Sequence, residues 1–193
     1  MEVLVTLIII AFGLLGIVKM QLLAKRYTLD AVQRTHASLY ADDILERMRA
    51  NRHTDLKPYA LLGARVGHQT YAEPAVPACT PADPCQPTDT IQRDLWEWQQ
   101  LMDGIAERYS NENYGLKQRA GSGGLIFPTG CLDVTDSAVG NGYDVTVTIA
   151  WQGLFKAGDA QVASGIAACG ANPAETNYYH RQLTVRTFIE RPN

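Results

Sequence analysis

The sequence predicts an α+β protein, with one long N-terminal helix packed on an antiparallel β-sheet. Three observations predict it. Residues 3–18 are uncharged and almost entirely apolar, and no proline interrupts the chain before Pro58. Tyr143, Val145, Val147, Ile149 and Trp151 alternate with Asp144, Thr146, Thr148 and Ala150. Leu183, Val185, Thr187 and Ile189 repeat that period of two near the C-terminus. An unbroken apolar run that turns amphipathic reads as one helix, and strict alternation reads as half-buried strands.

The first element is expected from about Glu2 to Asn51. Its apolar run, Val3 to Val18, spans about 24 Å as a helix, a little short of a ~30 Å hydrocarbon core. A cleaved signal peptide also has a short apolar core. Here no small-residue cleavage site follows, and Lys19, Lys25 and Arg26 lead straight into helical pattern. A retained membrane helix is therefore the favoured reading. Gly13 and Gly16 lie inside the run; each loosens a helix by about 1 kcal/mol relative to alanine and permits close helix–helix approach in a membrane. Below it, Leu22, Leu29, Val32, His36, Leu39, Tyr40 and Met48 recur near helical spacing, with Lys25, Arg26, Asp30, Arg34, Asp42 and Glu46 assigned to the other side. That stripe should pack on the sheet, while the upper helix has no partner within a chain of this size.

Three segments follow: 1–20 as membrane helix, 21–53 as its amphipathic continuation, and 54–193 as a globular domain. Six prolines between Pro58 and Pro87 mark 54–88 as loop. Ile91, Leu95, Trp98, Met102 and Ile105 share one face of a second helix over 89–109, with Thr88 or Thr90 as cap. Trp96 and Trp98 read as packing anchors before ligand platforms. Gly121-Ser122-Gly123-Gly124 is a turn before a short strand, Leu125-Ile126-Phe127. It lacks the strand-before, helix-after context of a phosphate cradle. Asn141-Gly142 suits a tight turn into the next strand, and three or four strands complete the sheet.

The chain has 193 residues, 46% hydrophobic and 19% charged, with net charge −3. That composition folds, and its mild acidity gives no electrostatic case for direct nucleic-acid binding. His36, His53, His68 and His180 lack metal-ligand spacing, and neither G-x-S-x-G nor H-E-x-x-H occurs. Asp133, Asp136, Asn141 and Asp144 crowd one turn without the spacing of a calcium loop. No enzyme activity, metal or cofactor is expected. Cys79, Cys85, Cys131 and Cys169 allow three pairings, of which Cys79–Cys85 with Cys131–Cys169 is the simplest; four reduced thiols are the alternative. Disulfides need an oxidising compartment such as the periplasm. Lys19, Lys25 and Arg26 on the C-terminal side of the run would instead hold the domain in the cytoplasm. The cysteines outweigh that charge count.

Glu2-Val3-Leu4-Val5-Thr6-Leu7 followed by Gly13-Leu14-Leu15-Gly16 resembles the N-terminal helix of type IV pilins. Residues 42–52, Asp-Asp-Ile-Leu-Glu-Arg-Met-Arg-Ala-Asn-Arg, resemble the minor pilins called PilV, or type IV pilus modification proteins. Asp94-Leu95-Trp96-Glu97-Trp98 and the stretch 143–151 are similar to that family too. The resemblance implies a type IV pilin-like fold and a minor pilin that primes pilus assembly near the tip. Through it come twitching motility, adhesion or DNA uptake. It implies an inner-membrane helix with a periplasmic domain, found at the pilus tip once assembled. The implied partners are other minor pilins, the major pilin, the inner-membrane assembly machinery and a prepilin peptidase. N-terminal methylation accompanies such processing. It also assigns Glu2 to a neighbouring subunit's N-terminal amine, a partner that a charge in hydrocarbon needs. Pilin precursors carry a basic leader ending in glycine, whereas Met1 directly precedes Glu2 here. The expectation is a start placed downstream of the native one, or a trimmed sequence, with processing belonging to the full-length precursor. The rival readings are a minor pseudopilin of type II secretion and a membrane-anchored periplasmic binding domain using Trp96, Trp98 or the acidic turn.

Overall fold

The computed structural model describes residues 2–67, 86–104, 124–153, 169 and 179–192. Three helices precede three strands: α1 (Glu2–Ala50), α2 (Lys57–Leu62), α3 (Pro87–Met102), β1 (Thr129–Asp136), β2 (Gly142–Gln152) and β3 (His180–Glu190). The strands pair antiparallel in the order β1-β2-β3. The fold is α+β, with a long N-terminal helix against an antiparallel sheet.

The lower end of α1 lies on the sheet through a stripe that keeps Met48 and the half-buried Tyr40 of the expected one and departs from the rest. Ala37, Ala41, Ile44, Leu45 and Met48 are buried. Leu22, Leu29, Val32 and Leu39 are 45–57% exposed. Leu39 sits about 200° round the axis from Ala37, so both cannot face the sheet. The two alanines win because small side chains let the helix axis approach the strands, and Ile44 and Leu45 fill the space below. Asp30, assigned from sequence to the outer side, is half-buried and meets Arg181 of β3 at 3.4 Å.

The proline of 54–67 does not exclude helix. Pro58 stands in the first turn of α2, where its missing N–H costs nothing, and Tyr59 is fully buried. Residues 68–85 lie outside the described segments. Pro87 likewise opens α3, and the backbone N–H of Gln86 donates to Asp89 Oδ2 at 3.2 Å. That contact, rather than Thr88 or Thr90, caps the helix. Ile91, Leu95, Trp98 and Met102 are buried as expected; the helix ends at Met102, and Ile105 is outside the described residues.

Leu125-Ile126-Phe127 is not a strand. The backbone turns there, with Phe127 at a φ of 47°. The first strand is instead 129–136, held by eight residue pairs to β2. Its Gly130 has no room for a side chain, since a Cβ would lie 2.2 Å from the Trp98 ring. The β1–β2 connection is the five residues 137–141 rather than a two-residue turn, with the Ser137 N–H donating to the Gly142 carbonyl at 3.0 Å.

Strand β2 buries Tyr143, Val145, Val147, Ile149 and Trp151 toward the helices. Thr148 and Ala150, on its other face, are buried too. Cys131 and Cys169 cluster with Ala150 there and are joined as a disulfide across 38 positions. Cys79 and Cys85 fall outside the described residues.

Candidate functional site

Two surfaces compete for a functional role. One is the upper half of α1; the other is a polar cleft at the opposite end of the domain.

The upper half of α1 is long and apolar enough to cross a membrane, and that apolar window is left unburied by the described residues. Val3, Leu7, Phe12, Leu15 and Val18 are 51–73% exposed. Soluble monomers rarely display so much contiguous apolar surface. Glu2 lies in the first helical turn, exposed, where a carboxylate complements the helix dipole. A Cβ placed on Gly13 or Gly16 would meet nothing within 4 Å. Among the described residues neither glycine serves packing.

The lower end of α1 is seated by a polar network around Arg47. Its guanidinium donates to Asp43 at 2.8 Å, and to Glu97 at 2.6 Å and Asp94 at 3.4 Å on α3. Asn51 Nδ2 donates to Asp94 at 2.9 Å and to the Tyr59 hydroxyl at 2.8 Å, and that hydroxyl donates to Asp94. Burial opposes the charge on Arg47, but the bonds to Glu97 and Asp43 outweigh it and hold the group above its ordinary range. Burial pushes Asp94 up, partly offset by Tyr59 and Arg47. Burial likewise raises the Tyr59 hydroxyl, reinforced by Asp94. Beside this cluster the Trp98 Nε1–H donates to the Tyr40 carbonyl of α1 at 2.8 Å. Trp98 is fully buried and so offers no ligand platform; Trp96 is half-buried.

Asp43, Arg47 and Asn51 come from one of the segments that carried the family resemblance, and Asp94, Glu97 and Trp98 from another. The structure thus brings these two segments together, and uses them to fix the helix to the domain. Sequence reasoning did not foresee the network. A signal was available: Asp43, Arg47 and Asn51 are spaced by four, which lines them up on one helix face.

The cleft, about 320 Å³, is lined by His53, Thr54, Asp55, Lys57, Tyr143 and Arg191. Its charges are largely used internally. The Tyr143 hydroxyl donates to Asp55 at 3.0 Å, and the Arg191 guanidinium lies 4.5 Å from the Tyr143 ring centre. Lys57 and Arg191 both pair with Asp136, at 2.5 and 3.5 Å. The hydrogen bond from Lys57, assisted by both cations' charge, holds the Asp136 carboxyl below its ordinary range. Among the described residues, no group of His, Cys, Asp and Glu is arranged to hold a metal ion. The acidic turn spreads out accordingly, with Asp136 committed to cations.

No family model, no curated protein and no solved structure matches this chain.

Proposed function

We propose that this protein is a minor pilin of a type IV pilus, a structural subunit that helps prime fibre assembly near the tip. The observation that supports the reading is the bare apolar half of α1, carried on a domain that grips the same helix by its other half. A helix so divided suits a subunit that is first stored in a membrane and then enters a bundle of like helices. The resemblance of residues 2–16, 42–52, 94–98 and 143–151 to minor pilins points the same way. In this reading Glu2 meets the N-terminal amine of a neighbour, and Gly13 and Gly16 let neighbouring helices approach.

The test is a deletion strain, scored for surface fibres by electron microscopy and for twitching. The expected result is loss of both, restored by the full-length gene. Restoration by the wild-type gene but not by one encoding Glu2→Ala, with the variant protein present and folded, would assign the defect to assembly. Intact fibres and motility in the deletion strain would defeat the reading and direct attention to a secretion pseudopilin, tested by protein export.

A further inference from the structure

The charge of this chain is divided between its two parts. Of 17 basic and 20 acidic residues, three basic and one acidic lie within residues 1–29, so this stalk carries +2 and the remainder −5. Between Val3 and Leu29 there is no carboxylate at all. The first one after it, Asp30, turns inward to Arg181. Lys19 and Lys25 are exposed, and neither takes part in an ion pair among the described residues. They lie about 9 Å apart along the axis and about 120° apart round it, so they form a ring rather than a face. They begin at the residue after the apolar run ends, which is the depth of the headgroup layer once that run fills the hydrocarbon. Tyr27, 65% exposed, adds an aromatic side chain of the type that gathers at that depth.

We propose that Lys19 and Lys25 form a basic collar that binds the headgroup phosphates of an anionic phospholipid membrane. The inference rests on the membrane-helix reading and adds to it the lipid class. Lysine stems lie along apolar surface while their ammonium groups reach outward, so both can meet phosphates without moving the helix. The acidic domain is repelled by the same surface and stands off it. The collar then fixes how deep the helix sits, and its electrostatic hold must be given up when the subunit leaves the membrane.

The full chain, partitioned between zwitterionic detergent micelles and phospholipid vesicles at low ionic strength, tests this. The vesicles are phosphatidylcholine, with or without a third of phosphatidylglycerol. The chain should favour the anionic vesicles. The double variant Lys19→Gln, Lys25→Gln should lose about 30-fold in partition into them, at roughly 1 kcal/mol per lysine. Added salt should erase the difference. Lys57→Gln, at the far end of the domain, should behave as the parent. Equal partition of parent and double variant into anionic vesicles overturns the proposal and leaves the membrane reading standing. Failure of both to enter any vesicle overturns the two together. Unchanged partition, with loss of surface fibres in cells carrying the double variant, would set the lysines against a partner subunit's carboxylates and overturn it as well.

Discussion

Residues 3–29 and 30–50 belong to one unbroken helix, yet they live by different rules. The upper stretch opens on a long apolar window that the described residues leave exposed. The lower stretch is held by buried alanines, a guanidinium shared among three carboxylates and a tryptophan hydrogen bond. Hydrophobicity therefore does not locate the core of this protein. The longest apolar run is outside it, and the residues that seat the helix include small and charged ones beside Ile44, Leu45 and Met48. What decides is whether the chain itself supplies a partner surface.

Substitutions can break that contrast or sharpen it. The largest effect is expected from Trp98→Ala, which empties the slot over Gly130 and removes the bond to Tyr40. It should lower stability by about 3–5 kcal/mol, whereas Leu15→Ala, exposed on the stalk, should leave the melting temperature of the detergent-solubilised protein unchanged. Comparable losses from both would show that the stalk packs on the domain after all. Next comes Cys131→Ser, which opens a closure of 38 positions and should cost about 3–4 kcal/mol by denaturant titration. Arg47→Ala follows. It takes the cation away from Asp94, whose side chain is 13% exposed and keeps only the neutral donors Asn51 and Tyr59, and should cost about 1–3 kcal/mol. A smaller loss on adding Asp94→Asn would show that the two residues act as one unit.

The smallest effect belongs to the far end of the domain. Asp136 is held below its ordinary value by Lys57, so its contribution is present above the carboxylate range, near about pH 4, and is lost as pH falls through the depressed value. Melting curves should therefore separate wild type from Asp136→Asn at neutral pH and converge in acid. A gap that persists in acid would assign the effect to packing rather than charge.

The same contrast explains what could be read from sequence. The end of α1 and the alternation of β2 and β3 were legible because each repeats a strong period. The seated stripe was legible only at Tyr40 and Met48, since Leu22, Leu29 and Leu39 outweigh Ala37 and Ala41 on any hydrophobic ranking while close approach rewards the alanines. Strand β1, Thr-Gly-Cys-Leu-Asp-Val-Thr-Asp, contains glycine and two aspartates and becomes a strand by pairing with β2. Helix α2 hid behind its proline. Of the candidate site, Glu2, Gly13 and Gly16 were singled out from the sequence, and all three lie on the exposed half of α1. The Arg47 network escaped because the bonds from Arg47 and Asn51 to α3 span 43 to 50 positions.

The seating of α1 also redraws where this protein can be cut. A boundary at residue 54, natural on the page of a sequence, would discard Ile44, Leu45, Met48 and Arg47 and lay open the face of α3 that they cover. A fragment meant for crystallisation, or a chimera that exchanges stalks between subunits, should keep everything from Asp30 onward. An exchange that imports residues 42–52 from another protein should import that protein's 94–98 as well, because neither segment has its partners without the other.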